Sequence, residues 1–183
     1  MRKITIAEFI SLDGVVESPE KWHMSYVNDE MFAAMYPADS DVDTMLLGRT
    51  TYDSFAGAFA AAPQDDPVAA RMNRPAKVVV TSAPETVTWT NSSALTGDVV
   101  AGARALKARP GGSIAVIGST TLARTLLAAD LVDEVSLILH PVVVGAGARL
   151  FPDDGPGATF TLTTCTPMST GVVHLVYTAA ARR

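Results

Sequence analysis

The chain has 183 residues, 48% of them hydrophobic and 18% charged, and its formal net charge is -5. That balance excludes a disordered chain and a basic nucleic-acid binder, and the length suffices for a full core without disulfide or metal staples. Cys165 is the single cysteine, which excludes an internal disulfide and a cysteine-built zinc site.

The first element is a strand, Ile4–Ile10, with imperfect alternation. The segment Ser11–His23 reads as irregular, punctuated by Asp13-Gly14 and Pro19. A short helix is expected over Asn28–Tyr36, capped by Asn28 or Asp29, with Met31, Ala34 and Met35 on one face and Pro37 as its stop. A buried strand, Thr44–Gly48, leads into a helix from Thr50 to Phe59 whose face carries Tyr52, Phe55 and Phe59. Ala60–Ala76 reads as a surface loop with at most one helical turn. Lys77–Ser82 is a second buried strand, and Glu85–Trp89 reads as a short one. Asp98 caps a helix along which Val99, Ala103 and Leu106 make one face, stopped by Pro110-Gly111. Ser113–Ser119 is a central strand, and the helix after it carries Ala123, Leu126, Leu127 and Leu131. Asp133–Val144 is a long extended run. Ala158–Thr166 and Gly171–Ala180 alternate with period two around a turn and form an antiparallel pair.

Short apolar strands separated by helices point to an α/β fold with a parallel sheet, closed by antiparallel strands. One domain over residues 1–183 is expected. The short apolar stretch after Met1-Arg2-Lys3 is broken by Glu8, so no membrane span or leader is expected there and the cytoplasm is the expected compartment.

Two corners share one design: Leu47-Gly48-Arg49-Thr50-Thr51 and Ile117-Gly118-Ser119-Thr120-Thr121. Each joins an apolar strand, a glycine, small hydroxyl residues and a helix start. A helix start leaves main-chain N–H groups unpaired with partial positive charge, and a glycine lets an anion approach the main chain. These corners suit a phosphate or pyrophosphate; the plain alternative is ordinary Ser/Thr capping at a tight turn. Arg49 can fork onto a phosphate, a ribose 2′-phosphate selecting NADP over NAD, or pair with Asp53 four residues on. Thr81 and Ser82 end a buried strand and make either a third nucleotide contact or a simple turn.

Other motifs are weaker. Val142–Phe151 imitates a dinucleotide fingerprint but has Leu150 at the third glycine position and no helix after it, so Gly145 and Gly147 read as a turn or bulge. Asp13-Gly14 is a turn, or puts a carboxylate at a crevice mouth. Trp22-His23 covers a ligand or anchors its loop. His23, His140 and His174 have no metal spacing. No Gly-x-Ser-x-Gly elbow occurs, and Cys165 lies mid-strand. Asp29-Glu30 favours a helix start and is also the nearest acid pair after Trp22.

The order of these parts is itself informative. "ISLDG", "LLGRTTYDSF", "KVVVTS", "IAVIGSTTLARTLL" and "DEVSLILHPVVVGAGARLF" follow one another along nearly the whole chain. In this the chain resembles the dihydrofolate reductase-like superfamily, specifically the bacterial riboflavin-biosynthesis reductase family, the RibD C-terminal domain. The resemblance implies a three-layer α/β sandwich with a mixed, mostly parallel sheet of about eight strands and a C-terminal antiparallel hairpin. It implies NADPH as cofactor. Gly48, Arg49, Thr50 and Thr51 would then meet the adenosine phosphates, Thr81 and Ser82 the region of the 2′-phosphate, and Gly118, Ser119, Thr120, Thr121 and Leu122 the pyrophosphate. Ser119 replaces a second glycine of the family pattern. Phe9 and Val16 fall where main chain meets the nicotinamide.

The resemblance also implies a substrate site for a small heterocycle. Asp13 would bind its polar groups, Gly147, Leu150 and Phe151 would shape the pocket, Trp22 would belong to a mobile lid, and Asp29 or Glu30 would assist protonation. The His-x-Glu and Pro-Cys-x-x-Cys elements of the deaminase domain that often accompanies this reductase are absent. Dihydrofolate reductases place an acid about five residues after a loop Trp, where this chain has Val27. The expected activity is therefore an NADPH-dependent reductase of the 5-amino-6-(5-phosphoribosylamino)uracil type. Dihydrofolate reduction and a nucleotide-binding module with little chemistry are the alternatives. A homodimer is expected from the family and from the apolar run Val135–Val144.

Overall fold

Apolar runs become strands, and capped polar-apolar repeats become helices. The computed structural model describes residues 1–37, 40–63, 65–153, 155 and 157–180. Its elements in chain order are β1 (Ile4–Ser11), α1 (Asp29–Met35), β2 (Thr44–Gly48), α2 (Arg49–Phe59), α3 (Pro67–Asn73) and β3 (Ala76–Val80). Then follow β4 (Ser92–Leu95), α4 (Val99–Ala108), β5 (Ile114–Ile117), α5 (Thr120–Ala128), β6 (Glu134–His140), β7 (Phe160–Pro167) and β8 (Val173–Ala179). The result is an α/β fold whose mixed, eight-stranded sheet is mostly parallel, with antiparallel C-terminal strands.

The chain divides into two units, one of Met1–Ile4 and Asp41–Leu131, the other of Thr5–Ser40 and Val132–Arg183. In the first, the strand order is β4-β3-β2-β5 and every pairing is parallel. Register aligns Thr44 with Ile114 and Ala76, and Gly48 with Val80. Thr44 to Leu47 are all buried, as an interior parallel strand requires. Arg2 is buried and ties strand ends together, donating to Gly112 O, to Thr44 Oγ1 and to Asp43.

In the second unit the order is β1-β6-β8-β7. β6 pairs parallel with β1 and antiparallel with β8, so both its edges are filled. The apolar run that begins at Val135 is thus an interior strand as far as His140, and Pro141 ends it. Met31 from α1 is fully buried with Ile138, Met168 and Val172, and Phe9, Tyr26 and Ala34 pack against that group.

Three expectations change. Ala60–Ala76 contains a true helix, α3, because Asp66 accepts from the N–H groups of Val68 and Ala69 while Pro67 supplies a preset φ at the first turn. Glu85–Trp89 is not a strand; Pro84–Thr86 makes a 3-10 turn and the strand lies later, at β4, which alternation did not mark because Ser92 and Ser93 are polar. Met35, expected on the packed face of α1, is exposed. Gln64, Asp154 and Pro156, within segments read above as loop, lie outside the described residues.

Candidate functional site

In the first unit, β2 and β5 run side by side and reach their glycine corners together. Ser119 Oγ accepts from the Gly48 N–H at 2.7 Å and donates to Thr51 Oγ1 at 2.8 Å. One hydroxyl therefore joins the two corners. A Cβ on Gly48 would lie 2.7 Å from Ser119 Oγ, so only glycine fits there. Gly118 has φ +60, and Ser119 also takes a left-handed conformation, φ 58, which a residue with a Cβ adopts at a cost.

The helices at these corners differ from the rest. Asn28, Asp66 and Asp98 cap α1, α3 and α4 with side-chain hydrogen bonds. Gly48 has no side chain to cap α2, and Ser119 makes no side-chain cap on α5 because its hydroxyl turns to the other corner. Both helix starts keep their dipole-favoured N–H groups clear of a side-chain cap, in the arrangement that suits an anion. Thr50 and Thr121 are exposed, Thr51 and Thr120 half-buried, and Leu122 is buried as a packing residue. Thr121 O accepts from Thr125 Oγ1.

Arg49 opens α2. Its guanidinium pairs with Asp53, Nε to Oδ2 at 2.8 Å and Nη2 to Oδ1 at 2.7 Å, and also donates to Thr86 Oγ1. The Asp53 bond is the chief cause of its raised pKa. Of the two readings of Arg49, the Asp53 pair is the one that forms, and Thr86 draws the guanidinium toward the turn after β3. Thr81 Oγ1 accepts from the Ala83 N–H in that turn, and Ser82 is exposed.

In the second unit, the loop after β1 is stitched to residues 142–150. Asp13 accepts from Ser11 Oγ at 2.7 Å, from Val144 N–H at 3.0 Å and from Gly145 N–H at 2.8 Å. Those donors, Ser11 first, hold its pKa down at about 2. Glu17 accepts from Ala148 N–H at 2.7 Å, and Val16 N–H, which is main chain expected near the nicotinamide, donates to Ala148 O. Gly147 has φ +129, and a Cβ there would come within 2.8 Å of Val15 Cγ1. Leu150 is fully buried and Phe151 46% exposed, so of that pair only Phe151 offers its ring to a ligand.

Rings gather beside this loop. Phe9 stacks on His23, centroids 4.5 Å apart, and His140 meets the rings of Phe9, Trp22, His23 and Tyr26 edge to face. Trp22 Nε1 donates to Glu17 O, which anchors its segment. Burial is the main influence on both histidines and lowers both pKa values; the Ile138 carbonyl opposes it at His140 and Glu20 at His23. Glu30 is held by Ser169, whose hydroxyl at 2.5 Å and N–H at 2.8 Å both reach Oε2, and by Asn28. Those bonds, the Ser169 hydroxyl first, lower its pKa. Asp29 is exposed at the first turn of α1.

Sequence reasoning missed Glu17, Thr86 and the gathering around His140. Each depends on a long-range approach, although the density of rings between Phe9 and Tyr26 was a usable signal. Among the described residues no group of three or more His, Cys, Asp or Glu side chains is arranged to hold a metal ion, and no helix is long and apolar enough to cross a membrane.

The model of the RibD C-terminal domain matches residues 2–174. The chain belongs to that family. It is 26% identical to YyaP of Bacillus subtilis (strain 168), a protein without a characterised role, over 96% of this chain and 94% of that protein. Solved structures agree on the fold. A Shewanella sp. PV-4 protein named for riboflavin biosynthesis superposes with a TM-score of 0.72 at 19% identity, covering 98% of this chain and 99% of the other. Dihydrofolate reductase from Enterococcus faecalis, solved with NADP(H), gives 0.64 at 16% identity, covering 98% and 97%. A pyrimidine reductase-like protein of Corynebacterium diphtheriae gives 0.62 at 12%, covering 99% and 93%. The fold of this RibD C-terminal domain is therefore dihydrofolate reductase-like.

Proposed function

We propose that the protein is an NADPH-dependent reductase of the riboflavin-biosynthesis type, acting on a small heterocycle. The observation that carries this reading is the pair of glycine corners joined through Ser119, each opening a helix without a side-chain cap. A diphosphate needs such donors and close main chain, and the residues present fit one. Main-chain N–H groups at the starts of α2 and α5 would hold the phosphates, with Thr50, Thr51, Thr120 and Thr121 adding hydroxyl donors. Arg49 would exchange Asp53 for the 2′-phosphate, a stronger forked partner. NADPH, when bound, supplies hydride. The chain's own part is to bind, orient and exclude water.

The test is titration of NADPH and NADH, followed through Trp22 and Trp89 fluorescence. NADPH is expected to bind more tightly, and Arg49→Ala to erase the difference. Equal binding of the two by the unaltered protein would remove the 2′-phosphate role of Arg49; no binding of either would remove the reductase. Consumption of NADPH with dihydrofolate would move the assignment to that substrate. A homodimer in the cytoplasm completes the proposal, the assembly being read by light scattering.

One observation favours a second reading, a nucleotide-binding module with little chemistry. The carboxylates of Asp13 and Glu30, two of the expected chemical groups, are both engaged in holding loops. Tight NADPH binding without oxidation across a panel of pyrimidines and pterins would support it.

A further inference from the structure

The sheet of the second unit has two unlike faces where β8 and β7 close it. Paired residues on neighbouring strands share a face. On β8, Val173, Leu175 and Tyr177 pair with Pro167, Cys165 and Leu162 on β7, so these six side chains lie on one side. The other side of β7 presents Thr161, Thr164 and Thr166. A bulge makes this division. Leu162 and Cys165 are three residues apart and would fall on opposite faces of a regular strand. The extra residue, Thr163, brings them to one face, and its hydroxyl donates to Val176 O at 3.0 Å.

Burial on the apolar side falls away toward β7. One row crosses four strands through Ile6, Val135, Tyr177 and Leu162. Ile6 and Val135 are buried, Tyr177 is half-buried and Leu162 is 48% exposed. β8 lies between β6 and β7, yet none of its residues is buried. An antiparallel strand inside a sheet commonly packs one face on a core. A contiguous apolar face left open marks a surface that a partner covers.

Charge identifies that partner. β7 and β8 contain no Asp, Glu, Lys or Arg, in a chain whose net charge is -5. Farther along the same face, Glu8 on β1 stands beside Leu137 and is buried. A basic partner would find no charge to pair with here. Two copies of an acidic chain repel, and they approach at least cost where neither presents a charge. A twofold axis sets such a patch against itself without complementary charges. Joining two β7 strands edge to edge is the poorer union, because the bulge breaks an even ladder and Pro167 has no N–H to donate.

We propose that the apolar face of β8 and β7 is a homodimer interface, packed sheet on sheet against the same face of a second copy. Val173, Leu175 and Tyr177 form its centre, and Leu162, Cys165 and Pro167 its margin. The run from Val135, which suggested a dimer in the sequence, is instead an interior strand as far as His140. This names the surface on which the proposed reductase assembles and goes beyond that reading; no part of it depends on NADPH.

The experiment uses the whole chain without nucleotide, in sedimentation and light scattering. The unaltered protein is expected to be a dimer. Leu162→Glu brings a carboxylate from each copy into the interface and should give monomers. Thr164→Glu, also at an exposed position of β7 but on the opposite face, should leave the dimer intact. Cys165, exposed in the single chain, gives a second readout. With an uncharged disulfide reagent its thiol should react several-fold more slowly in the unaltered protein than in Leu162→Glu. A carboxylate beside a thiol disfavours the reactive thiolate, so the faster reaction of the variant reports an uncovered face. A monomeric unaltered protein overturns the proposal and leaves the face to a different partner. A dimer that survives Leu162→Glu overturns it as well, and equal dissociation by Thr164→Glu would move the contact to the β7 edge. Should Leu162→Glu not fold, dilution of the unaltered protein separates the copies instead: the Cys165 rate should rise with the monomer fraction, and a rate independent of that fraction refutes the interface. NADPH titration is separate. Its failure sinks the reductase alone, and a monomer sinks this interface alone.

Discussion

Ser119 Oγ lies 2.7 Å from the main-chain nitrogen of Gly48, closing a contact between residues 71 positions apart. The contact explains a glycine and a strained serine together. Gly48 lacks a side chain because Ser119 occupies the space, and Ser119 accepts a left-handed conformation that aims its hydroxyl at both Gly48 and Thr51.

Gly48→Ala therefore forces Ser119 aside and is expected to cost about 1–3 kcal/mol of stability, as overpacking does. Ser119→Gly in the same chain removes the obstructing atoms, and most of the loss should return. A denaturant-unfolding cycle of the two single variants and the double variant checks this coupling. Simple additivity of the two costs would show that the contact does not govern the corner.

Asp13 gives an acid-stability prediction. Its folded pKa of about 2 lies below the ordinary 3.8, with Ser11 Oγ as the largest cause. A lowered carboxylate contributes stability that is fully present above the unfolded value and is lost as pH falls through the folded one. Asp13→Asn should lower Tm at pH 6, and the gap to the unaltered protein should close between about pH 4 and pH 2. A gap that is constant across that window would mean the carboxylate charge is not what holds Val144 and Gly145.

Lys77 acts at the opposite end of the scale. It is fully buried, donates to Asn73 O at 2.8 Å and Thr90 O at 3.1 Å, and sits 4.3 Å over the Trp89 ring. Among the described residues no carboxylate offsets its burial, which lowers the pKa from 10.5 to about 8. Between those values the unfolded chain binds more protons than the folded one, so unfolding free energy rises with pH across that window. Lys77→Met should remove this rise, measured as the difference between the two proteins in urea unfolding at pH 8 and at pH 10.

Leu150 and Phe151 separate packing from ligand contact. Leu150→Ala is expected to cost about 2–5 kcal/mol because the side chain is fully enclosed. Phe151→Ala, at a site 46% exposed, should stay within about 0.5 kcal/mol and show its effect in ligand binding instead. Thermal unfolding of both variants, followed by titration with a panel of pyrimidines and pterins, checks the distinction.

Much of the architecture was legible in the residues. Thr44–Gly48 reads as a buried strand because nothing in it is charged, and α4 begins where Asp98 sits because that side chain accepts from the Ala101 N–H. Local rules also misled. Ser92–Leu95 is a strand despite two serines because a parallel neighbour, β3, supplies its hydrogen bonds. Leu150 is fully buried, and its N–H bonds back to Gly14 O, 136 positions earlier, a contact no local pattern shows.

The chain's own pattern thus settled most element types, the two glycine corners and the family likeness, since spacing, capping and turn chemistry act over a few neighbouring residues. Tertiary structure alone decided that Ser119 bridges those corners, that Asp13 and Glu30 spend their carboxylates on loops, and that four rings gather around His140. Such meetings depend on which distant segments the sheet brings together, and no local periodicity encodes that.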